Sequence, residues 1–479
     1  MPPGAAPKPR KAGTLIEEST LQRVLTRALR TGGDFAEVFA EDRRTTAAVL
    51  DDGRVEDMTS GRDRGAGIRV VVGETTGFAH TADLSEAGRM GAADAAAAAA
   101  RRGGGGVREV ALGTGTRGQG GRQLAMIDPG SITKAAKVEL LEAADQAARS
   151  AGGAIRQVSA GYGDSHRRIL VANSDGLLAG DDQVRTRLAV TCVATGDAGM
   201  QTGFDVRART GGFEMFDAVS AEAIALEAAR RAIMKLSARP APSGVLPVVV
   251  KSGSGGMLFH EACGHGLEAD AILKESSVYA GRVGQQVASE LVTLVDDGTM
   301  AGEWGTCAVD DEGHVASRNV LIEKGVLTDY MWDFLRARKE KRLMSANGRR
   351  QSYEHLPMVR MTNTYLLSGT DDPEEIVRQT PRGVFVARLG GGSVNTATGD
   401  FVFGMTEAYM IENGEITDPI RDANLIGNGP DILGRIDAVA DDFDMCPGTC
   451  GKDGQQVPVG CGQPTLRVSG ITVGGTAGD

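Results

Sequence analysis

The segment His260-Glu261-Ala262-Cys263-Gly264-His265 constrains this chain more than any other stretch of six residues. It sets two imidazoles around a carboxylate in a 479-residue protein that has only six histidines. Such a set suits a zinc centre, with two neutral nitrogen ligands and an adjoining general base. The spacing is H-E-x-x-x-H, one residue longer than the zinc-protease signature H-E-x-x-H. On an α-helix, residues five apart diverge by about 140° around the axis. The two imidazoles can share one ion only if the backbone adapts, and a π-bulge supplies the extra residue. Gly264 and Gly266 lower the cost of that distortion. The spacing therefore predicts a π-bulge or local unwinding inside a helix over 257–273.

The rest of the chain reads as an α+β protein of two or three domains. Residues 1–13 (MPPGAAPKPRKAG) form a basic, Pro-rich leader without the apolar centre of a signal peptide, and are expected to be disordered. An N-terminal α/β region is expected over 14–240, with a subdivision near 103–130. It combines hairpin-rich sheets with Ala-rich helices at 84–102, 131–151 and 220–235. Strands are expected at 35–50, 67–72, 155–161, 168–173 and 186–194, and the two halves suggest a structural repeat. The stretch 237–245 (SARPAPSGV) breaks the pattern and marks a boundary.

A β-rich C-terminal domain over 241–479 then carries the metal-binding helix. Leu246–Val250 reads as a buried strand, and Lys251–Gly256 as a glycine loop. Asp297-Gly298, Glu312-Gly313, Lys324-Gly325 and Asn413-Gly414 suggest antiparallel hairpins. The net charge of −11, with no basic tract, speaks against a nucleic-acid partner. No apolar stretch approaches the length of a membrane span, so a cytoplasmic location is expected.

The residues alone leave the third metal ligand open. Glu268 is a candidate, although a carboxylate on the helix surface is the simpler reading. Cys446 and Cys450 are others, the second inside a loop expected over 447–454. Cys263 reads as packing, and His80, His166, His314 and His355 as turn or surface residues, with His355 weighed as an oxyanion donor. Gly113–Gly118 fits G-x-G-x-x-G, but no helix follows it, which argues against dinucleotide binding.

Several segments together resemble the TldD/PmbA family of metallopeptidases. They are Phe259–Glu268 (FHEACGHGLE), Gly348–Ser352 (GRRQS), Arg360–Thr364 (RMTNT), Gly399–Phe403 (GDFVF) and Cys450–Gln455 (CGKDGQ) with Val457–Gly460 (VPVG). In the N-terminal half, Gly33–Glu37 (GDFAE) and Gly65–Val70 (GAGIRV) match as well. The intact metal motif places the chain on the TldD side of the family. The resemblance implies zinc bound by His260, His265 and Cys450, with Glu261 as catalytic base. Cys461 stands where the family often has an apolar residue and is not expected to be a ligand.

The resemblance further implies a cytoplasmic zinc metallopeptidase acting on small or unfolded peptides in an enclosed chamber. Its expected partner is a PmbA/TldE-like subunit, with a homodimer as the alternative. A rival reading is a non-catalytic zinc scaffold or redox-sensing subunit. It would use His260, His265, Cys446 and Cys450 as four closed ligands, leaving no open position for water.

Overall fold

Long β-hairpins organise both halves of this α+β chain. The structure is a computed structural model that describes residues 15–100, 109–113, 116–117, 125–197 and 199–475. The leader, most of the Gly- and Arg-rich link and half of the Gly113–Gly118 stretch lie outside the described residues.

Numbering the principal elements in chain order, helix α1 (Glu18–Ala28) precedes strands β1 (Phe35–Asp51), β2 (Arg54–Val72) and β3 (Thr75–Thr81). Helices α2 (Glu86–Ala99) and α3 (Lys134–Ser150) lead to β4 (Ile155–Asn173), β5 (Leu178–Gly196), β6 (Gly199–Thr210) and helix α4 (Ala221–Leu236). The strands form one sheet in the order β3-β2-β1-β4-β5, with β6 beside β5. Asp52 and Gly53, both at positive φ, make the tight turn between β1 and β2.

The sequence suggested separate short strands, but 155–161 and 168–173 fuse into the single strand β4. The polar residues between them stay in the ladder because β1 and β5 flank them in continuous register, Arg44 facing His166 and His166 facing Val184. The two halves therefore share one sheet. At one end α1 and α2 pack on Ala36, Val38 and Ala40 of β1. At the other, α3 and α4 pack on Ala48 and Leu50 of the same strand. Small Ala side chains let the helices lie close to the sheet. Ser85, Thr133 and Ser220 each cap a helix by accepting a backbone N–H.

The C-terminal part holds the largest apolar core. Strands β7 (Gly244–Val250), β8 (Leu294–Asp297), β9 (Arg318–Glu323) and β10 (Asn363–Leu366) are followed by β11 (Arg382–Val394), β12 (Asp400–Glu412) and β13 (Glu415–Arg421). Strands β14 (Asn424–Asn428), β15 (Asp444–Lys452), β16 (Gln455–Gln463) and β17 (Leu466–Gly474) complete the set. One sheet runs β11-β7-β17-β14-β12-β13, and the β11–β12 pairing closes a ring. A second runs β9-β8-β10-β16-β15.

These sheets are mixed rather than antiparallel throughout: β7 pairs in parallel with β11, and β10 with β16. The uninterrupted apolar run Leu246–Val250 is what a strand enclosed on both faces requires. Lys324-Gly325 and Asn413-Gly414 form the expected positive-φ turns. Asp297-Gly298 does not: it ends β8, and neither residue has positive φ. The two halves meet across buried ion pairs: Glu37 of β1 lies 2.5 Å from Arg350, and Arg69 of β2 lies 2.9 Å from Glu312.

Candidate metal centre

The helix after β7 begins as a short α-turn (Gly256–Phe259) and widens into a π-turn over His260–Gly264. It then tightens to a 3₁₀ turn over His265–Leu267. The distortion that the H-E-x-x-x-H spacing requires is thus present. Close packing holds it in place. A Cβ on Gly256 would lie 2.2 Å from the backbone N of Gly462, so the helix sits directly on β16. A Cβ on Gly429 would lie 2.1 Å from the carbonyl O of Ala262, and one on Gly264 would lie 2.3 Å from Met361 Sδ. Tyr279 donates its O–H to Ala262 O at 3.1 Å, satisfying a carbonyl of the π-turn.

The π-turn turns both imidazoles toward β15. His260 Nε2 lies 3.3 Å and His265 Nε2 3.4 Å from Cys450 Sγ, with the rings nearly perpendicular at 83°. His260, His265 and Cys450 are the one His/Cys/Asp/Glu group among the described residues whose ligand atoms, within 4.8 Å of one another, could hold a metal ion. Glu261 projects beside them, its Oε2 4.0 Å from His265 Nε2. All four line a cavity of about 640 Å³, walled also by Gly391–Val394 of β11, by Gly448–Lys452 of β15 and by Asp453.

Electrostatics favour the thiolate. Burial disfavours the thiolate of Cys450, but hydrogen bonds from His260 and His265 outweigh it and hold the group at about 4. Burial likewise disfavours charge on His265, yet Glu268 and then Cys450 raise it well above its usual value.

Glu268 is not the surface carboxylate that helical spacing suggested. The backbone turns extended there (φ −78°, ψ 127°), which directs the side chain inward, 1% exposed. Its Oε2 accepts from His265 Nδ1 at 3.0 Å and from Lys452 Nζ at 2.8 Å. Lys452 also donates to Asp270 Oδ1 at 2.7 Å and to Val359 O at 3.2 Å. Burial pushes the Glu268 carboxyl up, but His265 and Lys452 together hold it at about 2. The sequence reading missed this support. The available signal was Lys452, inside the same C-G-K-D-G motif as Cys450.

Other candidates lie elsewhere. The segment read as a loop over 447–454 is mostly strand, β15, paired residue by residue with β16. Cys446 and Cys450 sit four residues apart on it, about 13 Å along an extended chain. Cys446 therefore stands opposite Cys461 and outside the three-donor group. The four-ligand closed site is not assembled. Cys263 is fully buried in the core, as expected for packing. His166 lies on β4 beside Asp182, not in a turn. His355 shares a hydrogen bond with Ser352 Oγ at 2.9 Å and does not line the cavity.

A thiol and two imidazoles lining one cavity, with the Glu261 carboxylate beside them, define a metallohydrolase type of site. The chain belongs to the PmbA/TldD metallopeptidase family: residues 243–475 match the family's C-terminal domain, 127–236 its central domain and 36–102 its first domain. It is 39% identical over 460 residues to the metalloprotease TldD homolog of Haemophilus influenzae, covering 92% of this chain and 93% of that protein. The fold is also that of TldE from Thermococcus kodakarensis, at 20% identity and TM-score 0.76, covering 95% of this chain and 99% of that one. A Thermotoga maritima structure described as a modulator of a DNA gyrase is similar at 21% identity and TM-score 0.78, covering 95% and 100%. No helix among the described residues is long and apolar enough to cross a membrane.

Proposed function

We propose that this chain is a zinc-dependent peptidase in which His260, His265 and Cys450 hold the ion and Glu261 is the general base. The observation that carries the reading is the convergence of three donors, two imidazole Nε2 atoms at 3.3 and 3.4 Å from one thiolate. Tetrahedral zinc with ordinary Zn–N and Zn–S bonds has an N···S edge of about 3.6 Å, so the donor set fits with little movement. His260, His265 and Cys450 would hold the ion, which would lower the pKa of a water molecule and polarise a carbonyl.

The chain's own groups carry the remaining steps. His265 Nδ1 donates to Glu268, which fixes the tautomer and frees Nε2 to ligate. Lys452 keeps Glu268 anionic. Glu261 lines the cavity beside His265 and accepts the proton of the attacking water, then returns it to the leaving amine. An extended peptide is the favoured substrate. Strand β11 pairs with β7 only over Val384–Val386, while its Gly391–Val394 stretch lines the cavity, a place for backbone pairing with little side-chain selection. Small or unfolded peptides fit such a cleft. The family relationship supports a TldE-like partner that encloses it, with a homodimer as the alternative, and a cytoplasmic location.

Replacing Glu261 with Gln tests the assignment. Peptide cleavage should fall by about 10²–10⁴-fold with zinc content unchanged. Cleavage retained within a few-fold would remove Glu261 as the base.

A further inference from the structure

Cys446 and Cys461 face one another on the floor of the β15–β16 hairpin. They are direct cross-strand partners, in the same ladder that pairs Gly448 with Val459 and Cys450 with Val457. Residues two apart along a strand share a face, so both thiols lie on the side of the hairpin that carries Cys450. Directly opposed antiparallel residues have Cα atoms about 4.5–5.5 Å apart, inside the range that a disulfide spans. Cys461 Sγ donates to the carbonyl O of Cys446 at 3.5 Å, Cys446 Sγ lies 3.8 Å from Pro447 O, and both cysteines are free. Cys461 is 2% exposed, and its wall of the cavity adjoins Glu261. Cys446 is half-buried, with the guanidinium groups of Arg388 and Arg207 nearby; Arg388 also pairs with Asp205 at 3.2 Å.

We propose that Cys446 and Cys461 are a reversible oxidation site, a dithiol that closes to a disulfide with hydrogen peroxide on the wall of the metal cavity. Cys446 is the attacking sulfur. It is the more accessible of the two, and a cationic, partly exposed setting is what activates a thiol. The adjacent Cys461 thiol, with Arg388 and Arg207, outweighs burial and brings the Cys446 thiol down to about 7. Cys446 thiolate attacks one peroxide oxygen, the O–O bond breaks, and hydroxide leaves to be protonated to water. Cys446 is then a sulfenic acid. Cys461 sulfur displaces its oxygen, which departs as a second water with the Cys461 proton, and the S–S bond forms. Two thiols lose two electrons and one peroxide gains them.

This site is separate from the metal centre and differs from a redox role for a Cys446–Cys450 pair. The test is peroxide treatment of the full-length, zinc-loaded protein, followed by alkylation and non-reducing peptide mass spectrometry. Trypsin cuts after Lys452, so Cys446 and Cys461 fall on different peptides, and fragmentation separates Cys446 from Cys450. The expected product is a Cys446–Cys461 cross-link that dithiothreitol reverses. In Cys461→Ser, the sulfenic acid should accumulate at Cys446 and be captured by dimedone. In Cys446→Ser, oxidation at Cys461 should slow at least tenfold. A cross-link to Cys450 instead would overturn the proposal. So would a pair that stays reduced at a peroxide dose that oxidises Cys450.

Discussion

Replacing Glu268 with Gln isolates the support behind the proposed metal ligands. The side chain keeps its shape and buried position, so the change removes charge rather than volume. Glu268 Oε2 receives both His265 Nδ1 at 3.0 Å and Lys452 Nζ at 2.8 Å. An amide has one acceptor oxygen and no charge, so each bond to it loses its ionic component, roughly half its strength. Removing such an outer partner of a ligating histidine lowers metal affinity by about 10–100-fold, or about 1.4–2.7 kcal/mol. The fold should lose less, because Lys452 keeps Asp270 and the carbonyl of Val359. Competition against a chromogenic chelator reads the zinc Kd directly, and thermal denaturation of the same sample reads stability. The account expects a weaker Kd in that range with a nearly unchanged melting midpoint. A Kd unchanged within about threefold would refute the argument that Glu268 positions His265.

Two further perturbations probe the frame around the site. Gly429→Ala should destabilise the protein by about 1–3 kcal/mol, because its Cβ would meet the Ala262 carbonyl of the π-turn at 2.1 Å. Thermal denaturation checks this, and an unchanged midpoint contradicts it. Glu37→Gln leaves Arg69 and Arg350 buried with their shared carboxylate gone, at a cost of about 3–5 kcal/mol. Denaturant titration should show the loss, with a transition that separates the N-terminal sheet from the barrel; full stability would show that the pairs are not needed.

Local chemistry carried the parts of this architecture that the sequence makes legible. The H-E-x-x-x-H spacing called for a π-bulge or local unwinding to bring the imidazoles together, and the chain forms a π-turn at His260–Gly264. Lys324-Gly325 and Asn413-Gly414 announced their turns through residues that tolerate positive φ. Asp297-Gly298 misled for a tertiary reason. Asp297 is buried, and its neighbour Asp296 binds Thr362, Thr364 and Asn347, so the pair anchors a strand end instead of turning a hairpin.

Glu268 was misplaced because helical periodicity was carried past the point where the backbone leaves the helix. The pairing of Cys446 with Cys461 depends on strand register, which no spacing between the two cysteines reveals. The fused strand β4 escaped notice because its polar centre is held by neighbours on both sides rather than by an apolar face.

X-ray absorption at the zinc edge of the purified full-length protein tests the central claim most directly. The account predicts one sulfur at about 2.3 Å, two imidazole nitrogens at about 2.0–2.1 Å and one light oxygen scatterer completing a four-coordinate shell. A shell with two sulfurs and no oxygen, or with none of the histidine signature, would contradict the open three-ligand centre.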